Sequence, residues 1–68
     1  MIEYRLNEEY IELIRLLKYL RFSETGGQAK RMVEEGRIKR NGETEYRKRA
    51  KLRRGDTIET EGKTILIV

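Results

Sequence analysis

The sequence predicts a single α+β domain in which two short helices are covered by a small sheet. Two runs of apolar residues at helical spacing occupy its first half, and three turn signals divide its second half into short strand-like segments. Neither helical run is long enough for the pair to bury each other's apolar faces, so a sheet has to cover them. A chain of 68 residues permits one modest core and leaves no room for an elaborate buried active site.

The elements follow in order. Ile2, Tyr4 and Leu6 alternate with Glu3 and Arg5, the period of two expected of a half-buried strand. Asn7 is placed to cap a helix with Glu8 and Glu9 in its first turn, where carboxylates suit the helix dipole. Tyr10, Leu13, Ile14, Leu17 and Leu20 then recur at helical spacing, which predicts a first helix from about Glu8 to Leu20. Arg15 and Lys18 lie on its outer side, and Arg21 continues toward the loop. A second helix starts after Thr25, with Ala29, Met32 and Val33 as its buried stripe. Thr25 and Gln28 stand at capping-box spacing, and Gly36 is placed to end the helix in a left-handed conformation. "RIKR", Asn41-Gly42 and "ETEY" form the strongest hairpin signal in the chain, because Asn-Gly readily takes the positive φ angles of a tight turn. The turn "RRGD" at Arg53 to Asp56, "TIET", the Glu61-Gly62 turn and "KTILIV" complete the sheet. There is no internal repeat and no proline linker.

Charge is abundant and unevenly placed. Charged residues make up 41% of the chain and the net charge is +4. The first twelve residues carry Glu3, Glu8, Glu9 and Glu12 against Arg5 alone, whereas nine cations between Arg37 and Asp56 face only Glu43, Glu45 and Asp56. A concentrated positive field draws polyanions, so nucleic acid is the first partner to consider. Cysteine and histidine are both absent, which removes disulfides, the usual zinc and iron ligands, thiol nucleophiles and the imidazole base. No cofactor, metal or small-molecule substrate is expected. Glu24, Glu34 and Asp56 form no recognisable acid–base pair, so the chain does not read as an enzyme. No apolar run approaches the roughly 20 residues that cross a bilayer, and the acidic start does not resemble a signal peptide. The expected compartment is the cytoplasm.

"SETGGQAKRM", from Ser23 to Met32, puts two glycines where the second helix begins. Helix interiors disfavour Gly by roughly 1 kcal/mol relative to Ala, so another need should offset that cost. A helix start exposes unpaired N–H groups and the positive end of its dipole, and glycine lets a nucleic-acid backbone come close to them. Lys30 and Arg31 stand one turn further on, and Gln28 can donate to a sugar or base edge. The alternative is that Gly26 and Gly27 make a tight interhelical turn and let the two helices pack closely. A nucleotide-hydrolase phosphate loop does not fit, since the lysine stands three residues past the second glycine and no Ser or Thr follows it.

The block "YRKRAKLRR", Tyr46 to Arg54, holds six cations and no acid in nine positions. Because the second helix feeds directly into the hairpin, Lys30, Arg31, Arg37 and Lys39 are candidates for a surface continuous with Arg47, Lys48 and Arg49. Tyr4, Tyr10 and Tyr19 fit packing positions, which leaves Tyr46 and Phe22 as stacking candidates, too few for a single-strand binder.

"LLK" at Leu16 to Lys18, "TGGQAK" at Thr25 to Lys30, "EEGRI" at Glu34 to Ile38, "NGE" at Asn41 to Glu43 and "KLRRGD" at Lys51 to Asp56 together resemble the RNA-binding domain family named after ribosomal protein four of the small subunit. The resemblance runs from about Ile11 to Glu59 within one domain spanning residues 1–68, and favours the short, stand-alone bacterial members. It implies two packed short helices against a small bent, mostly antiparallel sheet, the alpha-L motif. It also implies structured RNA lying across the helix pair and the adjoining hairpin. The contact set it carries over is Lys18, Thr25, Gly26, Gly27, Gln28, Lys30, Arg31, Asn41, Arg47 and Lys48. Broader members have Ser-Arg where this chain has Gly26-Gly27, so that arginine's base contacts do not transfer. The expectation is a non-catalytic, monomeric protein that binds structured RNA, ribosomal or transfer RNA, through phosphate contacts, with the ribosome or a larger RNA-processing protein as its setting. The competing expectation is a small assembly factor whose basic face engages an acidic protein.

Overall fold

In the computed structural model, which describes residues 1–68, the chain forms β1 (Ile2–Tyr4), β2 (Ile11–Glu12), α1 (Leu13–Tyr19), α2 (Gly26–Glu34), β3 (Lys39–Arg40), β4 (Glu43–Thr44), β5 (Lys51–Leu52), β6 (Thr57–Thr60) and β7 (Lys63–Ile67). Two sheets result: a five-stranded one in the order β1-β7-β6-β3-β4 and a separate β2–β5 ribbon. Every pairing is antiparallel except β1 against β7, where Ile2 to Tyr4 run beside Ile65 to Ile67 in parallel. The α+β class, the two packed helices and the mostly antiparallel sheet are as the sequence predicts.

The short turns explain the strands they join. Asn41 and Gly42 take φ values of 52° and 88°, so the β3–β4 connection is a two-residue turn with both central residues left-handed, the geometry that matches strand twist. Alternation then decides which residues go inward. Ile58 and Thr60 on β6, and Ile65 and Ile67 on β7, are buried, while Glu59 and Lys63 point to solvent. The three isoleucines meet Leu13, Leu16 and Leu17 of α1 and Ala29, Met32 and Val33 of α2 in one core of 14 buried apolar residues, which also takes in Leu6, Ile38 and Leu52. Full burial of a Leu or Ile contributes about 1.5–3 kcal/mol relative to exposure, so the core alone explains how so polar a chain folds.

The first helix is shorter than its periodicity predicts. Ile11 and Glu12 are extended and pair with Leu52 and Lys51, so α1 begins at Leu13, Asn7 caps nothing and no acid lies in its first turn. The physical reason is tertiary. The N–H groups of Leu13 and Ile14, orphans at a helix start, donate to the carbonyls of Ala50 and Lys48 at 3.0 and 3.1 Å, while the Glu12 side chain makes no cap. The basic loop before β5 therefore closes the end of α1 that Asn7 was expected to close. Tyr10 is displaced from the helix and lies under Lys51 and Arg53, whose cations stand 5.0 and 5.7 Å from its ring centre. Tyr19 is no core residue either: it is 69% exposed and meets Tyr4 edge to face at 5.6 Å.

α2 follows the sequence signals closely. Thr25 is extended, and its Oγ1 accepts the Gln28 N–H at 3.0 Å; Gln28 Oε1 reaches back to accept the Glu24 N–H at 2.8 Å. At the far end Gly36 takes φ 73°, and its N–H and that of Arg37 donate to Val33 and Met32, the pattern of a Schellman stop. Arg40 ties the hairpin to the loops beside it, donating to Asp56 and to the Lys51 carbonyl, both at 2.9 Å.

Candidate nucleic-acid interface

The first turn of α2 is open. An added Cβ on Gly26 would meet no atom within 4 Å, and one on Gly27 only Thr25 Oγ1 at 4.0 Å. Neither glycine has a positive φ. Close helix packing and turn geometry therefore both fail to explain this pair, and the reading in which they serve an interhelical turn loses its support. Their N–H groups donate to nothing within the chain. What remains is a helix start with two unpaired donors and no side chain in front of them, the arrangement that suits an anion. Thr25 and Gln28 frame it; both accept hydrogen bonds inside the cap, which leaves the Thr25 hydroxyl proton and the Gln28 amide free to donate.

Two cations stand one turn beyond that start, and a third joins them at the far end of α2. Ala29, Met32 and Val33 face the core, so helical geometry turns Lys30, Arg31 and Glu34 outward, where all three are exposed. Lys48 Nζ lies 2.8 Å from Glu34 Oε2, which joins the basic loop to the α2 face. The Lys48 hydrogen bond and charge, with Arg31 and Lys30 adding to them, hold the Glu34 carboxyl below its ordinary value. Lys30, Arg31 and Lys48 thus form one cationic strip around a single carboxylate. Lys18, in the last turn of α1, lines a groove with Arg21, Ser23 and Glu24 just ahead of Thr25.

The other sequence-predicted residues lie differently. Arg47 is 73% exposed, and its guanidinium grips Glu45 through Nε at 3.0 Å and Nη2 at 3.1 Å. That contact, against the opposing effect of burial, holds the Glu45 carboxyl below its ordinary value. Arg37 pairs with Glu35 and, more closely, with Glu61 of the β6–β7 turn. Together with Lys39 it lines a separate hollow that Glu59 and Glu61 also line, so these two cations face carboxylates, apart from the α2 strip. Asn41, though exposed, is engaged by its own chain: its amide donates to Asp56 at 3.1 Å and its oxygen accepts from the Thr57 N–H at 2.9 Å. Tyr46 is 64% exposed and packs one edge on Gly36, where an added Cβ would stand 3.2 Å from its hydroxyl. Phe22 is partly buried against the core. Arg21 escaped the sequence-derived set because it reads as loop; its spacing of three from Lys18 was the available signal.

Two helices on a mixed, mostly antiparallel sheet, with an open cationic helix start, define an alpha-L type of domain. Residues 4–68 match the S4 domain family, and the chain belongs to that family. It is 41% identical over 59 residues to YbcJ of Escherichia coli strain K12, covering 87% of this chain and 84% of YbcJ, and to the same extent to YbcJ of Shigella flexneri. The solution structure of E. coli YbcJ, reported to reveal an alpha-L motif involved in RNA binding, superposes with a TM-score of 0.75 at 38% identity, covering 100% of this chain and 87% of that one. The 30S ribosomal protein S4e of Thermoplasma acidophilum matches with a TM-score of 0.69 at 25% identity, over 85% of this chain but only 31% of S4e. There the same fold is one part of a larger protein.

Proposed function

We propose that this protein binds structured RNA, without catalysing a reaction, by seating the ribose-phosphate chain on the open first turn of α2 and on the cations around it. The observation that carries this reading is the Gly26-Gly27 pair: two unpaired N–H donors, no packing need for glycine, and Lys30 and Arg31 exposed one turn on, with Lys48 further along the same helix at Glu34. The RNA-binding motif reported for YbcJ supports it. Side chains read the deep groove of A-form RNA poorly, so contacts to phosphates and 2′-hydroxyls should dominate and shape should matter more than base sequence. Ribosomal and transfer RNA are the substrates that suit such recognition. Titration of a labelled RNA stem-loop at several salt concentrations tests the reading. Neutralising five or so phosphates gives a logarithmic salt slope on the order of −4, and a DNA duplex of matched length should compete poorly. Salt-independent binding, or equal affinity for every polyanion, refutes it.

A further inference from the structure

Three residues other than glycine have positive φ: Arg21 at 64°, Asn41 at 52° and Glu61 at 51°. A side chain in that region costs roughly 1–2 kcal/mol unless contacts compensate. Asn41 is of the type that tolerates it and is held by Asp56 and Thr57, and Glu61 is held by Arg37. Arg21 has no such compensation. It is exposed, and it enters none of the ion pairs or side-chain hydrogen bonds that engage the other strained residues. It occupies the position at the end of α1 that glycine favours, since its N–H and that of Phe22 donate to Lys18 and Leu17 in a second Schellman pattern.

Arg21 thus stands where glycine would be more stable, with its guanidinium unpaired and free to make a contact outside the chain. The groove it lines supplies the chemistry. Lys18 stands beside it, and the floor holds Ser23, a residue only 4% exposed whose hydroxyl has no partner within the chain. Glu24 lines the groove as well, and its carboxylate disfavours a doubly charged phosphate more than a singly charged diester. We propose that Arg21 and Lys18 hold a backbone phosphodiester of the bound RNA in this interhelical groove, next to the phosphate seated on α2, so that the footprint crosses from one helix end to the other. This rests on the RNA-binding reading above.

The test compares the parent chain with Arg21→Gly and Arg21→Lys, using a labelled RNA stem-loop at several salt concentrations together with thermal unfolding. Arg21→Gly should raise the Tm by several degrees, because relief of roughly 1–2 kcal/mol of strain exceeds the about 0.4–1 kcal/mol that glycine costs through the freer unfolded chain, and at the same time weaken RNA binding severalfold and make the salt slope shallower by about 1. Arg21→Lys should keep the parent's slope without the gain in Tm. If Arg21→Gly binds with the parent's affinity and slope, or unfolds at a lower temperature, the proposal is overturned while RNA binding stands. If the parent itself shows no salt-sensitive RNA binding, both readings fall together.

Discussion

Replacing Gly27 by Val adds three carbon atoms directly in front of the open donors of α2, and the structure separates its effect on folding from its effect on binding. The nearest atom to the new Cβ is Thr25 Oγ1 at 4.0 Å, an ordinary contact distance, and the backbone φ there is not in the left-handed region. Helix propensity favours Val over Gly by a few tenths of a kcal/mol, so the Tm should stay within about 2–3 °C of the parent's or rise slightly. Binding should suffer, because branched carbon now occupies the space a phosphate oxygen needs to reach the Gly26 and Gly27 N–H groups. A hydrogen bond to a charged group is worth about 1.5–3 kcal/mol, so losing one implies roughly 10- to 150-fold weaker association. Fluorescence anisotropy with a labelled RNA stem-loop measures the affinity, and circular dichroism melting confirms the fold. Lys63→Ala serves as control, since Lys63 lies in the separate hollow with Glu59 and Glu61, and it should bind as the parent does. A folded Gly27→Val protein with unchanged affinity would refute the cradle.

Other outcomes follow from the same geometry. Glu34→Gln releases Lys48 from its carboxylate partner; RNA affinity should rise severalfold in the same anisotropy assay, with a steeper salt slope. Acid should destabilise the fold. The carboxyls of Glu45, gripped by Arg47, and of Asp56, where hydrogen bonds from the Arg53 N–H, Asn41 and Arg40 outweigh the opposing effect of burial, lie below their ordinary values of 4.5 and 3.8. The folded state therefore binds fewer protons than the unfolded one, and the stability these groups contribute is complete above about pH 5 and lost as pH falls through the lowered values. Melting curves between pH 7 and pH 2 should show a flat Tm at first and then a decline, which Asp56→Asn reduces. Leu16→Ala, at a fully buried position, should cost about 2–5 kcal/mol, enough to leave so small a domain largely unfolded by circular dichroism at room temperature.

Features encoded by neighbouring residues were legible in the sequence. The Asn41-Gly42 turn, the Thr25 cap with Gln28 and the stop at Gly36 each depend on a few consecutive residues, and each stands where the sequence places it. The start of α1 was not legible, because the carbonyls that cap it belong to Ala50 and Lys48, far along the chain. The same limit governs the cations. Composition locates Arg37 and Lys39 beside the second helix, but only tertiary structure brings Glu61 to Arg37 and Glu59 opposite Lys39. Lys48 reaches Glu34, and that contact, invisible in sequence, is what ties the basic loop to α2. The two glycines marked where α2 begins but not its openness, since only coordinates show that nothing packs on them.

The parallel pairing of β1 with β7 has a bearing on how the chain is made. A ribosome delivers Ile2 to Tyr4 well before their partners, Ile65 to Ile67, with the other elements of the domain in between. β1 must wait while the elements between it and β7 are made, and its residues stay unpaired until β7 emerges. Closing that pair spans the longest sequence separation of any strand pairing in the domain, the slowest kind of contact to form, so it should be a late step of folding. Its edge position leaves the rest of the sheet, β7-β6-β3-β4, to assemble from two hairpins and the β3–β6 pairing without it.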